Sequence, residues 1–121
     1  MVVGGGIPSR MQEATDKGCQ VAREFAKRLR SSLGSAVRHV YCFGSWARGS
    51  AAEDSDVDLL VETHTPVTGE LRDCIVDIVM DLSAESGQVL DVHYYTTGEL
   101  KSPRYAGTPF VKAVLGEAIL L

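Results

Sequence analysis

The chain of 121 residues has 45% apolar and 23% charged residues, enough for one core-bearing domain and too apolar for general disorder. Its net charge of -4 argues against a stand-alone nucleic-acid binder, so no direct nucleic-acid contact is expected and a basic partner suits it better. Cys19, Cys42 and Cys74 are odd in number and lack C-x-x-C spacing, which predicts reduced thiols rather than a disulfide framework or a zinc site. Without a basic-then-apolar leader or a membrane-length apolar run, the chain reads as cytoplasmic.

In chain order, residues 1–8, MVVGGGIP, carry three consecutive glycines and no periodicity. They read as a flexible tail before a domain over 9–121. Ser9 to Leu33 is predicted helical, with an apolar stripe through Val21, Ala22, Phe25, Leu29 and Leu33 and a stop at Gly34. Its outer face carries Lys17, Arg23, Lys27, Arg28 and Arg30 and reads as a solvated basic face. Ala36 to Phe43 alternates as a first strand, in which His39 is read as a strand residue.

The stretch from Tyr41 to Glu62, YCFGSWARGSAAEDSDVDLLVE, organises the rest. A strand ends at Gly44-Ser45, where a glycine lets backbone approach a ligand and amides and a hydroxyl can meet phosphate oxygens. A second strand then begins at Asp56-Val57-Asp58. Alternation turns both carboxylates to one face, and their repulsion is relieved by a divalent cation, which predicts Mg²⁺. Arg48 is either a forked phosphate contact or an ion-pair partner of Glu53 or Asp54. Trp46 suits base stacking or plain packing. Asp54 is assigned to the loop, outside the metal set.

Thr65 as N-cap and Pro66 at the first helical position open a helix over Val67 to Glu85, whose apolar stripe lies opposite an acidic row, Glu70, Asp73, Asp77, Asp81 and Glu85. Gln88 to Thr96 is a third strand with Leu90, Val92 and Tyr94 on its core face. Asp91, an acid in mid-strand, is costly to bury unless paired or metal-bound, and so becomes the third carboxylate. His93 shares its face, with an open role. A capped turn at Thr97 to Lys101, a loop from Pro103 to Pro109, a short helix Phe110 to Leu115 and a last strand Ala118 to Leu121 complete an α/β alternation.

The strings G-S-x-A-R-G and S-D-x-D-L-L-V resemble the signature of the DNA polymerase β-like nucleotidyltransferase superfamily, and of its short members, the minimal nucleotidyltransferases. The resemblance runs from about Val37 to the C-terminus. It implies a small mixed sheet flanked by helices, with Gly44, Ser45 and Arg48 at the nucleotide and Asp56, Asp58 and Asp91 as catalytic ligands of two Mg²⁺ ions. It also implies transfer of AMP from ATP to an acceptor hydroxyl.

At 121 residues the chain is expected to borrow its acceptor surface from another protein. It is similar to the antitoxins of HEPN/MNT toxin-antitoxin pairs, which AMPylate a tyrosine of a HEPN ribonuclease toxin. The expectation is therefore an ATP-using protein adenylyltransferase that assembles with a HEPN toxin. The alternatives are nucleotidylation of a small molecule such as an aminoglycoside, and a non-catalytic antitoxin that occludes its partner.

Overall fold

The computed structural model describes residues 9–49, 51, 52 and 55–121. The expected tail over 1–8 and the loop acids Glu53 and Asp54 lie outside the described residues. Helix α1, Ser9–Leu33, ends in a single 3-10 turn at Gly34–Ala36 that leads into strand β1, Val37–Phe43. A one-turn helix α2, Gly44–Arg48, precedes β2, Val57–Thr63. Helix α3, Gly69–Ser86, and strand β3, Leu90–Thr96, follow.

Three more helices, α4 (Thr97–Lys101), α5 (Pro103–Ala106) and α6 (Pro109–Glu117), lead to a two-residue β4, Ile119–Leu120. The four strands form one mixed sheet in the order β3-β2-β1-β4. β1 runs antiparallel to both β2 and β4, whereas β3 lies parallel to β2 after the α3 crossover.

The sheet is covered on both faces, and alternation along each strand divides the side chains between two cores. Val40, Cys42, Val57, Leu59, Val61 and Leu90 join Phe25 and Leu29 of α1 and Ile75, Ile78 and Leu82 of α3 in one cluster. Phe43 and Leu60 turn the other way, to Leu100 of α4 and Val111 and Val114 of α6. Arg28 bridges the two long helices, bonding Glu24 at 2.9 Å and Glu85 at 2.7 and 2.9 Å. That ion pair removes Arg28 from the expected solvated basic face and Glu85 from the acidic row.

Several boundaries differ from the sequence reading. α3 starts at Gly69 rather than Val67, because the Thr63 hydroxyl donates to the Thr65 carbonyl at 2.7 Å and holds the strand exit in a turn. The turn at 97–101 is a helix closed by a capping box between Thr96 and Glu99. The expected loop over 103–109 contains α5, started by Pro103 after the Ser102 cap. Gly116 does not break the last helix, which runs through it to Glu117. Tyr94 is 38% exposed instead of packed, whereas Leu90 on the same face of β3 is buried.

Candidate active site

The sequence-predicted residues meet at one end of the sheet. β1 arrives there with Phe43 and hands the chain to Gly44, while β2 and β3 both depart from it, so a loop and two strand starts converge. Phe43 pairs with Asp58 in the antiparallel ladder, and Asp58 pairs with Asp91 in the parallel one. Neighbouring strands lie about 4.8 Å apart, so the two carboxylates rise side by side from the same face. Asp56, exposed, sits one residue before β2 and close enough to act on Asp58 electrostatically.

Asp58 is the half-buried member of the group. Burial raises its carboxyl pKa above the ordinary aspartate value, and repulsion from Asp91 and then Asp56 raises it further, with His93 and Arg48 opposing. Gly44 has φ +74, and a Cβ there would run into the Asp58 carboxylate. A residue without a side chain is therefore required twice over at this position, by backbone conformation and by the approach of the acid.

Arg48 meets an acid from the far end of the chain, while the two acids considered beside it in sequence, Glu53 and Asp54, lie outside the described residues. Its Nη1 donates to both oxygens of Glu117 at 3.1 Å, and the Gly44 amide donates to Glu117 Oε1 at 3.1 Å. These bonds hold the Glu117 carboxyl below the usual glutamate range, the Arg48 contact most and the Gly44 amide next. Glu117 carries no signal in the sequence, because it stands 69 residues from Arg48 with no motif around it. Ser45 is half-buried in α2 beside this contact.

Trp46 is fully buried, donates its indole N–H to the Ser55 carbonyl at 3.0 Å, and lies on α1 where Gly18 leaves no side chain in its way. It is a packing residue and is not placed to stack on a base.

Asp91 is exposed, with its side chain at 53% of full accessibility, so the burial cost that singled it out from sequence does not operate. Its register beside Asp58 is what brings it to the site. His93 Nε2 lies 3.3 Å from Asp91 Oδ2, and its ring packs against Phe43 and Phe110 at centroid distances of 6.0 and 5.0 Å. His39 pairs with Glu62, toward the far end of β1, and packs edge-on against Tyr41.

Glu62 is a further buried acid on the same face of β2 as Asp58. It is satisfied by the Thr97 hydroxyl at 2.6 Å, the Tyr41 hydroxyl at 3.3 Å and Arg38 at 3.6 Å, which explains its burial without a ligand. Cys42 is buried, its thiol pushed up to about 12 by burial, and Cys19 and Cys74 are half-buried free thiols.

Among the described residues no three His, Cys, Asp or Glu side chains converge closely enough to ligate one ion. The donor set is nonetheless of the right chemistry, since Asp56, Asp58 and Asp91 supply only carboxylate oxygens, the ligands of hard cations such as Mg²⁺. Their mutual repulsion is the kind that a bound cation relieves. Among the described residues no helix is long and apolar enough to cross a membrane.

Residues 22–119 match the family described as Nucleotidyltransferase domain. A candidate protein adenylyltransferase of Methanocaldococcus jannaschii is 30% identical over 70 residues, 57% of this chain and 64% of the relative. Protein adenylyltransferase MntA of Thermococcus cleftensis is 56% identical over 36 residues, 30% of this chain and 34% of the relative. The matches thus span less than two thirds of either relative's length.

Among solved structures, one described as a candidate minimal nucleotidyltransferase superposes with TM-score 0.53 at 27% identity, covering 96% of this chain and 100% of that one. A variant of the MntA-HpeT toxin-antitoxin complex superposes with TM-score 0.59 at 17% identity, over 82% of this chain and 70% of that one, a likeness of fold. With a match covering most of its length, and with the mixed sheet and helices of such structures, this chain belongs to the nucleotidyltransferase domain family.

Proposed function

We propose that the protein is a Mg²⁺-dependent protein adenylyltransferase that moves AMP from ATP to a tyrosine hydroxyl of a HEPN-family toxin, and so acts as its antitoxin. The observation that carries the reading is the placement of Asp58 and Asp91 on paired positions of β2 and β3, directly beside the Gly44 turn. Support for the acceptor and the partner comes from the adenylyltransferase names of the two relatives and from the toxin-antitoxin neighbour of similar fold.

Asp56, Asp58 and Asp91 would hold the metal, which when bound supplies charge neutralisation for the reacting phosphates. The Gly44 amide, the Ser45 hydroxyl and Arg48 would receive phosphate oxygens, Arg48 through charge-assisted bonds. Asp91, exposed and so reachable from solvent, accepts the proton of the acceptor hydroxyl as its oxygen bonds to the α-phosphorus and the bond to pyrophosphate breaks. The remaining work of the chain is positioning. The strand register fixes the acids, and the Phe43 and Phe110 rings hold His93 beside Asp91.

The test is intact-mass spectrometry of a HEPN toxin incubated with this protein, ATP and Mg²⁺. The reading expects a mass gain of one or more AMP groups that disappears with Asp56→Ala. An unmodified, still active toxin ends the proposal. A toxin that is silenced without modification, and equally by a variant lacking both Asp56 and Asp58, indicates an occluding binder instead.

A further inference from the structure

Glu117 sits where the proposed function needs an anion. Its carboxylate accepts from the Gly44 N–H and from Arg48, two of the groups assigned above to the nucleotide phosphates. A carboxylate on a backbone amide and a guanidinium makes the contacts that a phosphate oxygen would make. We infer that Glu117 is a built-in competing anion, which nucleotide phosphates must displace from Gly44 and Arg48, and that it sets the affinity of the site. This rests on the nucleotidyltransfer reading of the same site and adds to it the residue that limits nucleotide capture.

The surrounding structure suits a side chain that leaves while its backbone stays. Directly after Glu117 the chain joins the sheet, with Ile119 and Leu120 paired to Cys42 and Tyr41, the Leu121 amide bonded to the Val40 carbonyl at 2.8 Å, and Arg30 bonded to the Leu121 carbonyl at 2.8 Å. The end of α6 is thereby fixed over the β1–α2 junction. The Glu117 side chain keeps 27% of its accessibility and that of Arg48 53%, so both are open to incoming solutes. A triphosphate brings several negative oxygens against the one carboxylate that holds the seat, so exchange favours the ligand once its concentration is sufficient. Release needs a side-chain rotation and no change of fold.

Competition and simple positioning of Arg48 predict opposite outcomes. The experiment titrates inorganic triphosphate, and separately ATP, into the wild type, Glu117→Gln and Glu117→Ala, by calorimetry and by the amide resonance of Gly44. If the seat is held by Glu117 about nine-tenths of the time, its removal tightens binding about tenfold. Both variants should bind inorganic triphosphate that much more tightly, with the Gly44 resonance moving in each titration.

Unchanged or weaker binding in the two folded variants, or a Gly44 resonance unmoved at saturation, overturns the inference. The two readings fail separately. Tighter triphosphate binding without any AMP transfer leaves Glu117 a competing anion and removes the transferase. Normal AMP transfer with unaltered affinity leaves the transferase and removes the competition.

Discussion

Asp58 and Asp91 stand on the same rung of the parallel ladder between β2 and β3, although 32 residues and a helix separate them in the chain. If this pair, with Asp56, performs the transfer, each single change to alanine lowers the rate on the order of a hundredfold or more, as loss of one charged contact to a transition state does. Single-turnover AMP transfer measured on Asp56→Ala, Asp58→Ala and Asp91→Ala checks this, and a variant with normal rate removes that residue from the mechanism.

The same repulsion makes the site a stability burden. Burial and two neighbouring acids disfavour the ionised Asp58 carboxylate. Asp58→Asn should therefore stabilise the metal-free fold at neutral pH by about 0.5–1 kcal/mol, a value kept small because the group is partly solvated. Mg²⁺ should raise the melting temperature of the wild type and leave that of Asp58→Asn nearly unmoved. A thermal melt with and without the ion measures both effects.

Gly44→Ala should cost about 2 kcal/mol, since it adds the strain of a positive φ to a collision with the Asp58 carboxylate. Gly87 shares the backbone conformation at φ +72 but opens onto empty space. Its alanine variant should lose only about 1 kcal/mol. Urea unfolding of the two variants separates backbone strain from collision, and equal losses would deny the crowding at Gly44.

The bridge between α1 and α3 gives a pH dependence of definite sign. The hydrogen bond from Arg28 holds the Glu85 carboxyl below its ordinary value, so the folded chain binds fewer protons there than the unfolded one. Its stabilisation is fully present above the unfolded glutamate value of about 4.3 and is lost as pH falls through the lowered folded one. Glu85→Gln should therefore unfold at a lower urea concentration than the wild type at neutral pH, with the gap closing in strong acid. High salt should also narrow it.

Much of this was legible in the chain. The helix over Ser9–Leu33, the strand into Gly44, the acids opening β2, and the order of later elements follow from local patterns, because apolar periodicity and turn residues act over a few neighbours. Trp46 was not decided locally. Only the approach of α1, with Gly18 bare at the contact, assigns it to packing. The mid-strand position of Asp91 implies a burial that the folded chain does not give it, and the residue reaches the site through register instead.

By itself the sequence determined the glycine turn, the paired acids at the start of a strand and the α/β alternation, all of which depend on spacing within one element. The tertiary structure alone decided that Asp91 stands beside Asp58, that Arg28 joins Glu85, and that Glu117 lies on Gly44 and Arg48. Those are contacts across 33, 57, 73 and 69 residues of chain. No local preference encodes such a pairing, because it arises only when strand register and the packing of both cores are satisfied together.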